Sequence, residues 1–223
     1  MGCWTPAQDF AIGADSGPAW RAELTREDGS AFSVRSADGD TVEVSWSYCG
    51  RHNVENAIAA MAAARHVGVL PAQAAQSLSG FKGVKRRLEL LGLVGEIAVY
   101  DDFAHHPTAI ATTLQGLRAR ADGGRVLALI EPRSNTMRMG RHRNELAAST
   151  AAADVAYWYQ PEGIDWSLEE VVRDSPITAS IHASVEDMVA RVVAEAQPGD
   201  QIVIMSNGSF GGIHQRLMAE LAA

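Results

Sequence analysis

From Leu88 onward, short apolar runs of strand length alternate with amphipathic runs of helix length, and little else about the chain constrains its fold so tightly. Leu88–Val94 and Ile97–Tyr100 flank Gly95-Glu96 and predict a hairpin. Strands are then predicted over Val126–Ile130, Val155–Tyr159, Thr178–Ile181 and Ile202–Met205. Helices are predicted from Pro107 onward and over 141–152, 167–173, 185–196 and 212–222. Pro107 suits a first helical turn, where its missing N–H costs nothing. Repeated strand–helix units imply an α/β fold with a doubly wound, mostly parallel sheet.

The chain before Gly83 reads differently. Residues 1–19 show no period and read as a ragged start. Trp20–Ser47 alternates loosely around Asp28-Gly29 and Asp38-Gly39-Asp40, which predicts a small antiparallel meander. Asn53–Val67 is an amphipathic helix with Val54, Ala57, Ile58 and Met61 on one face and Asn53 as its N-cap. Pro71 starts a second helix that ends near Gly80. The change of pattern predicts two domains, 1–83 and 84–223.

A net charge of −8 argues against non-specific nucleic-acid binding. Cys3 and Cys49 have no metal or redox spacing, which fits a reducing compartment. No apolar run is long enough to span a bilayer and no signal peptide is evident, so the expected location is cytoplasmic, with no membrane partner.

In a parallel sheet the turns that follow the strands share one edge, where ligands bind. Here those turns carry Asp101-Asp102-Phe103-Ala104-His105-His106, Glu131-Pro132-Arg133-Ser134-Asn135, Gln160, His182, and Ser206-Asn207-Gly208-Ser209-Phe210-Gly211-Gly212. The opposite edge has bland connectors, Ala121–Gly124 and Gln197–Asp200. Adjacent carboxylates at 101 and 102 require a cation nearby. This turn admits a structural role, contacts to a nucleotide or substrate, or a metal, although adjacent residues on one turn point apart and no third ligand has metal spacing. Arg133, Arg138, Arg141, His142 and Arg143 are either a solvated helix start or a site for an anion. Asn207–Gly212 is a tight strand-to-helix turn or a phosphate cradle, and no Walker A motif occurs. Lys82, Lys85, Arg86 and Arg87 read from composition as a solvated linker.

Taken together these segments resemble the Mur ligases, ATP-dependent amide-forming enzymes of peptidoglycan metabolism. The carrying segments are Gly50-Arg51-His52-Asn53-Val54-Glu55-Asn56-Ala57, Arg86-Arg87-Leu88-Glu89, Asp101–Pro107, Glu131–Met137 and Ser206–Gln215. The last two are most similar to the branch that joins UDP-N-acetylmuramate to the tripeptide L-Ala-γ-D-Glu-meso-diaminopimelate in cell-wall recycling. The resemblance implies a Rossmann-like C-terminal domain over 84–223, preceded by the tail of a central ATP-binding domain, so that the chain is the C-terminal half of a longer enzyme. It implies ATP and Mg2+ as cofactors, and UDP-N-acetylmuramate and the murein tripeptide as substrates. It places Asn53 and Asn56 on the adenine side, Arg87 on the nucleotide, Asp102 on the ribose hydroxyls, and His105 in support of that turn. It places Arg133, Ser134, Asn135, Arg138, Asn207, Gly208, Gly211 and Gly212 on the peptide side. The family's Walker A loop and magnesium-binding residues are absent, so no catalytic or metal-binding residue is assigned and the isolated chain is expected to be inactive. The alternative is a stand-alone module that binds an anionic peptide or a nucleotide without chemistry.

Overall fold

The computed structural model describes residues 7–13, 17–133, 143–160 and 166–223. Two compact units divide the chain, Met1–Gly83 and Val84–Ala223.

In the first unit β1 (Phe10–Ile12), β2 (Trp20–Leu24), β3 (Ala31–Arg35) and β4 (Thr41–Ser45) lie side by side in chain order. Alternation along the strands sends Trp20, Ala22, Phe32, Val34 and Val44 inward. They pack against Val54, Ala57, Ile58 and Met61 of α1 (Arg51–His66) and Ala74 and Ala75 of α2 (Pro71–Ser79). The intervening residues Glu23, Arg35, Thr41, Glu43 and Ser45 are exposed and polar, so this sheet covers one face only.

The antiparallel meander expected over Trp20–Ser47 is present in β2, β3 and β4. Two expectations change around it, the first being that residues 10–12 are no ragged start, because β1 pairs parallel with β2. The segment before Trp20 is therefore joined to the sheet: Gln8 Oε1 accepts from the Trp20 indole N–H at 2.9 Å and Asp9 Oδ1 accepts from the Ala19 N–H at 2.8 Å. The N-cap of α1 is Gly50, not Asn53. Gly50 has φ of 93°, a left-handed conformation that glycine adopts without strain. Asn53 stands inside the first turn, and its amide donates to the Cys49 carbonyl at 2.7 Å.

The second unit is the α/β sheet. Its strands are β5 (Glu89–Val94), β6 (Ile97–Asp102), β7 (Val126–Ile130), β8 (Val155–Tyr159), β9 (Thr178–His182) and β10 (Gln201–Met205). Their spatial order is β5-β6-β10-β7-β8-β9; β5 alone runs antiparallel to its neighbour. The inner strands β6 and β7 are buried at every position, as continuous apolar runs in a two-sided sheet should be. One face carries α3 (Pro107–Arg120), α4 (Arg143–Ser149) and α5 (Glu169–Arg173) over Ala98, Tyr100, Ala128, Ile130, Trp158 and Val203. The other carries α6 (Val185–Glu195) and α7 (Ile213–Leu221) over Val99, Leu127, Leu129, Tyr157, Ile202 and Ile204. This is the doubly wound α/β architecture that the alternation predicts.

Strand β6 runs two residues beyond the predicted Tyr100. Asp101 and Asp102 pair with Ile204 and Met205 of β10, so the ladder takes up both carboxylate-bearing residues and the turn starts at Phe103. Likewise His182 belongs to β9, opposite Tyr159.

Candidate functional site

The parallel register settles which residues share an edge. Met205 lies opposite Asp102 on one side and Ile130 on the other. The ends of β6, β10 and β7 are therefore neighbours, and Asp102, Arg133 and Asn207 stand on one rim. Because β5 is antiparallel, with Glu89 opposite Asp101, the segment Arg86–Leu88 reaches the same rim from the other direction.

Asp102 turns toward α3 and is 4% exposed. Its Oδ2 accepts from the Leu88 N–H at 2.7 Å; its Oδ1 accepts from the Ala104 N–H at 2.7 Å and from the Thr113 hydroxyl at 3.4 Å. Burial pushes its pKa up, and the two backbone N–H groups and the Arg87 charge oppose that shift without cancelling it. A carboxylate has about four lone-pair positions, and these three donors leave Oδ2 one more acceptor position.

Asp101 turns to the opposite face. Its Oδ1 meets His214 Nε2 at 3.0 Å, and its Oδ2 accepts from Arg86 Nε at 3.2 Å. The same guanidinium donates through Nη2 to the carbonyls of Ser206 at 2.6 Å and Gly208 at 2.9 Å, and lies 5.2 Å from the centre of the Phe103 ring. Arg86 is thus the cation that the adjacent carboxylates require. It is not a solvated linker residue: it ties the start of β5 to the end of β6 and to the turn after β10.

Arg86 and Leu88 have φ of 60° and 47°. Side chains other than glycine rarely adopt that left-handed region, and such conformations persist where the surroundings hold them. Glu89 Oε2 holds the Arg86 N–H at 2.8 Å, Asp102 holds that of Leu88, and the Arg86 carbonyl accepts from the Phe103 N–H at 2.9 Å. Arg87, between them, is exposed, with its guanidinium 5.9 Å from the Phe103 ring centre. His105 stands edge-on to the same ring at 5.4 Å, and its Nδ1 meets the Phe103 carbonyl at 2.9 Å. His106 caps α3.

On the other side of β10, Glu131 is 5% exposed and Ser206 is fully buried. The Ser206 hydroxyl donates to Glu131 Oε2 at 2.5 Å and accepts from the Gly208 N–H at 2.8 Å. The exposed Arg133 lies across Gly208: a Cβ there would sit 2.3 Å from Arg133 Nη1 and 2.8 Å from Cζ. Gly211 and Gly212, with φ of 56° and 74°, form the exposed short helical turn that leads into α7. Further along the rim, His182 is buried between Ser180 Oγ at 2.9 Å from Nε2 and Asp187 Oδ2 at 2.7 Å from Nδ1, which fixes the start of α6.

Of the sequence-predicted residues, Arg87, Asp102, His105, Arg133, Asn207, Gly208, Gly211 and Gly212 share this rim of the second unit. Asn53 and Asn56 are on α1 of the first unit, where Asn56 is exposed. Ser134, Asn135 and Arg138 lie outside the described residues. Arg86, Glu131 and Ser206 are organising residues to which sequence reasoning gave no role of their own; Glu131 and Ser206 were signalled by standing first after their strands, and all three by lying in the segments that carry the family resemblance. Among the described residues no group of three or more His, Cys, Asp or Glu side chains could hold a metal ion, and no helix is long and apolar enough to cross a membrane.

Residues 86–208, the stretch from the Arg86 clamp to the turn after β10, match the family model of the Mur ligase glutamate ligase domain. This chain belongs to the Mur ligase family. Two curated Mur ligases, both named UDP-N-acetylmuramate–L-alanyl-γ-D-glutamyl-meso-2,6-diaminoheptandioate ligase, align along its length. The Haemophilus influenzae protein is 44% identical over 99% of this chain, and the Escherichia coli K12 protein is 46% identical over 100% of it. The crystal structure of a murein peptide ligase from Psychrobacter arcticus superposes with a TM-score of 0.71 at 46% identity, over 99% of this chain and 48% of that one. The chain spans about half the length of these Mur ligases, 48% of each curated relative.

Proposed function

We propose that this chain is the C-terminal half of an ATP-dependent ligase that joins UDP-N-acetylmuramate to L-Ala-γ-D-Glu-meso-diaminopimelate in peptidoglycan recycling, and so serves cell-wall biogenesis, cell shape and division. The observation that carries this reading is the shared rim, in a chain 46% identical to a relative named for that tripeptide. In the reaction a muramate carboxylate oxygen attacks the γ-phosphorus of ATP and ADP departs. The amine nitrogen of the peptide then attacks the acyl carbon, phosphate departs, and the amine gives up a proton.

The donor set fits a nucleotide on one side of the rim. Arg87 offers an exposed guanidinium to phosphate, Asp102 offers its remaining acceptor position to a ribose hydroxyl, and His105 supports the turn. Asn53 and Asn56 of α1 are assigned to adenine. Mg2+ would come with the nucleotide on residues outside this chain. The peptide takes the other side, at Arg133, Ser134, Asn135, Arg138 and the Asn207–Gly212 turn, where arginine suits its carboxylates. Taken alone, the chain binds without catalysis.

Isothermal titration of the purified 223-residue chain with the tripeptide tests this reading. Binding heat that is lost in Arg133→Ala supports it. Ligase turnover by the isolated chain, or heat unaffected by Arg133→Ala, overturns it.

A further inference from the structure

An open sheet ends in two strands that have a neighbour on one side only, and each presents a row of backbone N–H and C=O groups to another strand. In the second unit these are β9 and β5. β9 carries Thr178, Ser180 and His182, and the last two are hydrogen-bonded to each other. β5 is built the other way. Leu90, Leu91 and Leu93 are 53%, 37% and 68% exposed, and with Val84 they are all the large apolar side chains that stand exposed among the described residues of this unit. Sheet edges are normally kept short, charged or covered, and a cluster of exposed leucines on one marks a contact surface.

The register of β5 says what fits there. Against β6, Leu90 lies opposite Tyr100 and Leu93 opposite Ala98, with a bulge between them that takes up Leu91. Tyr100 and Ala98 are two apart and share the face under α3, so Leu90 and Leu93 also share it, although they are three apart. A second copy related by a twofold axis runs antiparallel to the first, and residues directly opposite in such a pair point to the same face. With the axis between Leu91 and Gly92, Leu90 of each copy meets Leu93 of the other, and the four leucines cover one another. The charges obey the same symmetry. Lys85 and Arg87 stand exposed before the strand and Glu96 after it, so the antiparallel copy sets each basic end beside the other's acidic end. Parallel addition sets like ends together.

We infer that β5 is a self-association edge, on which two copies of this chain pair β5 to β5, antiparallel, and join their six-stranded sheets into one. The contact is small, six strand residues from each copy, so the dimer is reversible, with a Kd of about 10–100 μM. The pairing does not depend on which ligands the rim binds.

Sedimentation equilibrium of the 223-residue chain, from about 1 μM to about 1 mM, tests the pairing. A monomer–dimer equilibrium is expected. Leu93→Lys, at the most exposed of the three leucines, should weaken it about tenfold or more, with an unchanged circular dichroism spectrum. Glu96→Arg should weaken it too, and adding Lys85→Glu and Arg87→Glu to that variant should restore it. Disulfide formation reads the register. A chain with Leu90→Cys mixed with one carrying Leu93→Cys should cross-link between those two positions under mild oxidation, as located by peptide mass. Neither should cross-link to itself there, because like positions lie about 10 Å apart along the strands, beyond disulfide reach. A chain that stays monomeric throughout overturns the inference and leaves the edge to a different protein. A dimer indifferent to Leu93→Lys, growth into open-ended oligomers, or cross-links between like positions overturns it as well.

Discussion

Asp101 and Asp102 are adjacent in sequence and point to opposite faces of one sheet, the first to His214 at the start of α7 and the second to Thr113 of α3. Successive side chains on a strand alternate, so extending β6 through both residues separates their charges more effectively than a turn would. Arg86 completes the arrangement. Replacing Arg86 by Ala leaves Asp101 with His214 alone and strips a donor from the Ser206 and Gly208 carbonyls. A stability loss of about 3 kcal/mol is expected, typical of breaking a largely buried charge pair. Arg87→Ala, at the exposed neighbour, should change stability by no more than about 0.5 kcal/mol. Urea unfolding of the two variants measures the contrast, and equal midpoints would show that Arg86 is no clamp.

Asp102 makes a pH prediction whose sign is opposite to that of a salt-bridged aspartate. Its folded pKa is raised above the ordinary 3.8, chiefly by burial. Between 3.8 and that raised value the folded state binds more proton than the unfolded one, so stability from this residue falls as pH rises through the window. The Asp102→Asn variant lacks the term. It should also lose about 1–3 kcal/mol near neutral pH, because an amide cannot accept on both of its atoms. The loss relative to the unaltered chain should grow as the solution is acidified through the window. A loss that shrinks on acidification, in melting curves of both proteins, would reverse the assignment.

The sequence displayed the sheet well and the clamp poorly, for a physical reason. Strand and helix periods are local, so Val126–Ile130 and Ile202–Met205 could be placed from their own residues, and the parallel winding then put their following turns on one edge. Arg86 meets Asp101, Ser206 and Gly208 across separations of 15 to 122 residues, and no local pattern encodes such a meeting. The N-cap of α1 was missed because Asn53 is a good capping residue, while Gly50 caps through backbone conformation alone. The parallel β1–β2 pair was missed because three residues are too few to show a period.

Gly208 separates binding from folding. The three atoms nearest to an added Cβ are Nη1, Cδ and Cζ of Arg133, 2.3–2.8 Å away, and that flexible side chain can swing aside. Gly208→Ala should therefore change unfolding free energy by less than about 1 kcal/mol. It should weaken tripeptide binding by about tenfold, the equivalent of about 1.4 kcal/mol, since the guanidinium can no longer lie across the turn. Calorimetric titration beside a urea curve checks both halves; unchanged affinity would remove Arg133 from the peptide side.

Gly124, at the opposite edge of the sheet, should behave in the reverse manner. Its missing Cβ would sit 2.2 Å from the Gly199 carbonyl oxygen and 3.1 Å from that of Ala121, and backbone cannot swing aside. The two connectors that read as bland are packed against each other here. Arg125 beside them donates to Asp200 Oδ1 at 3.0 Å and Oδ2 at 2.6 Å, and Asp200 Oδ2 also accepts from the Gln197 N–H at 2.7 Å. Gly124→Ala should cost about 1–3 kcal/mol, the usual range for overpacking. Tripeptide affinity of the folded variant should not change, because the rim lies at the far ends of the strands. A melting temperature equal to that of the unaltered chain would show that the two connectors do not touch in solution.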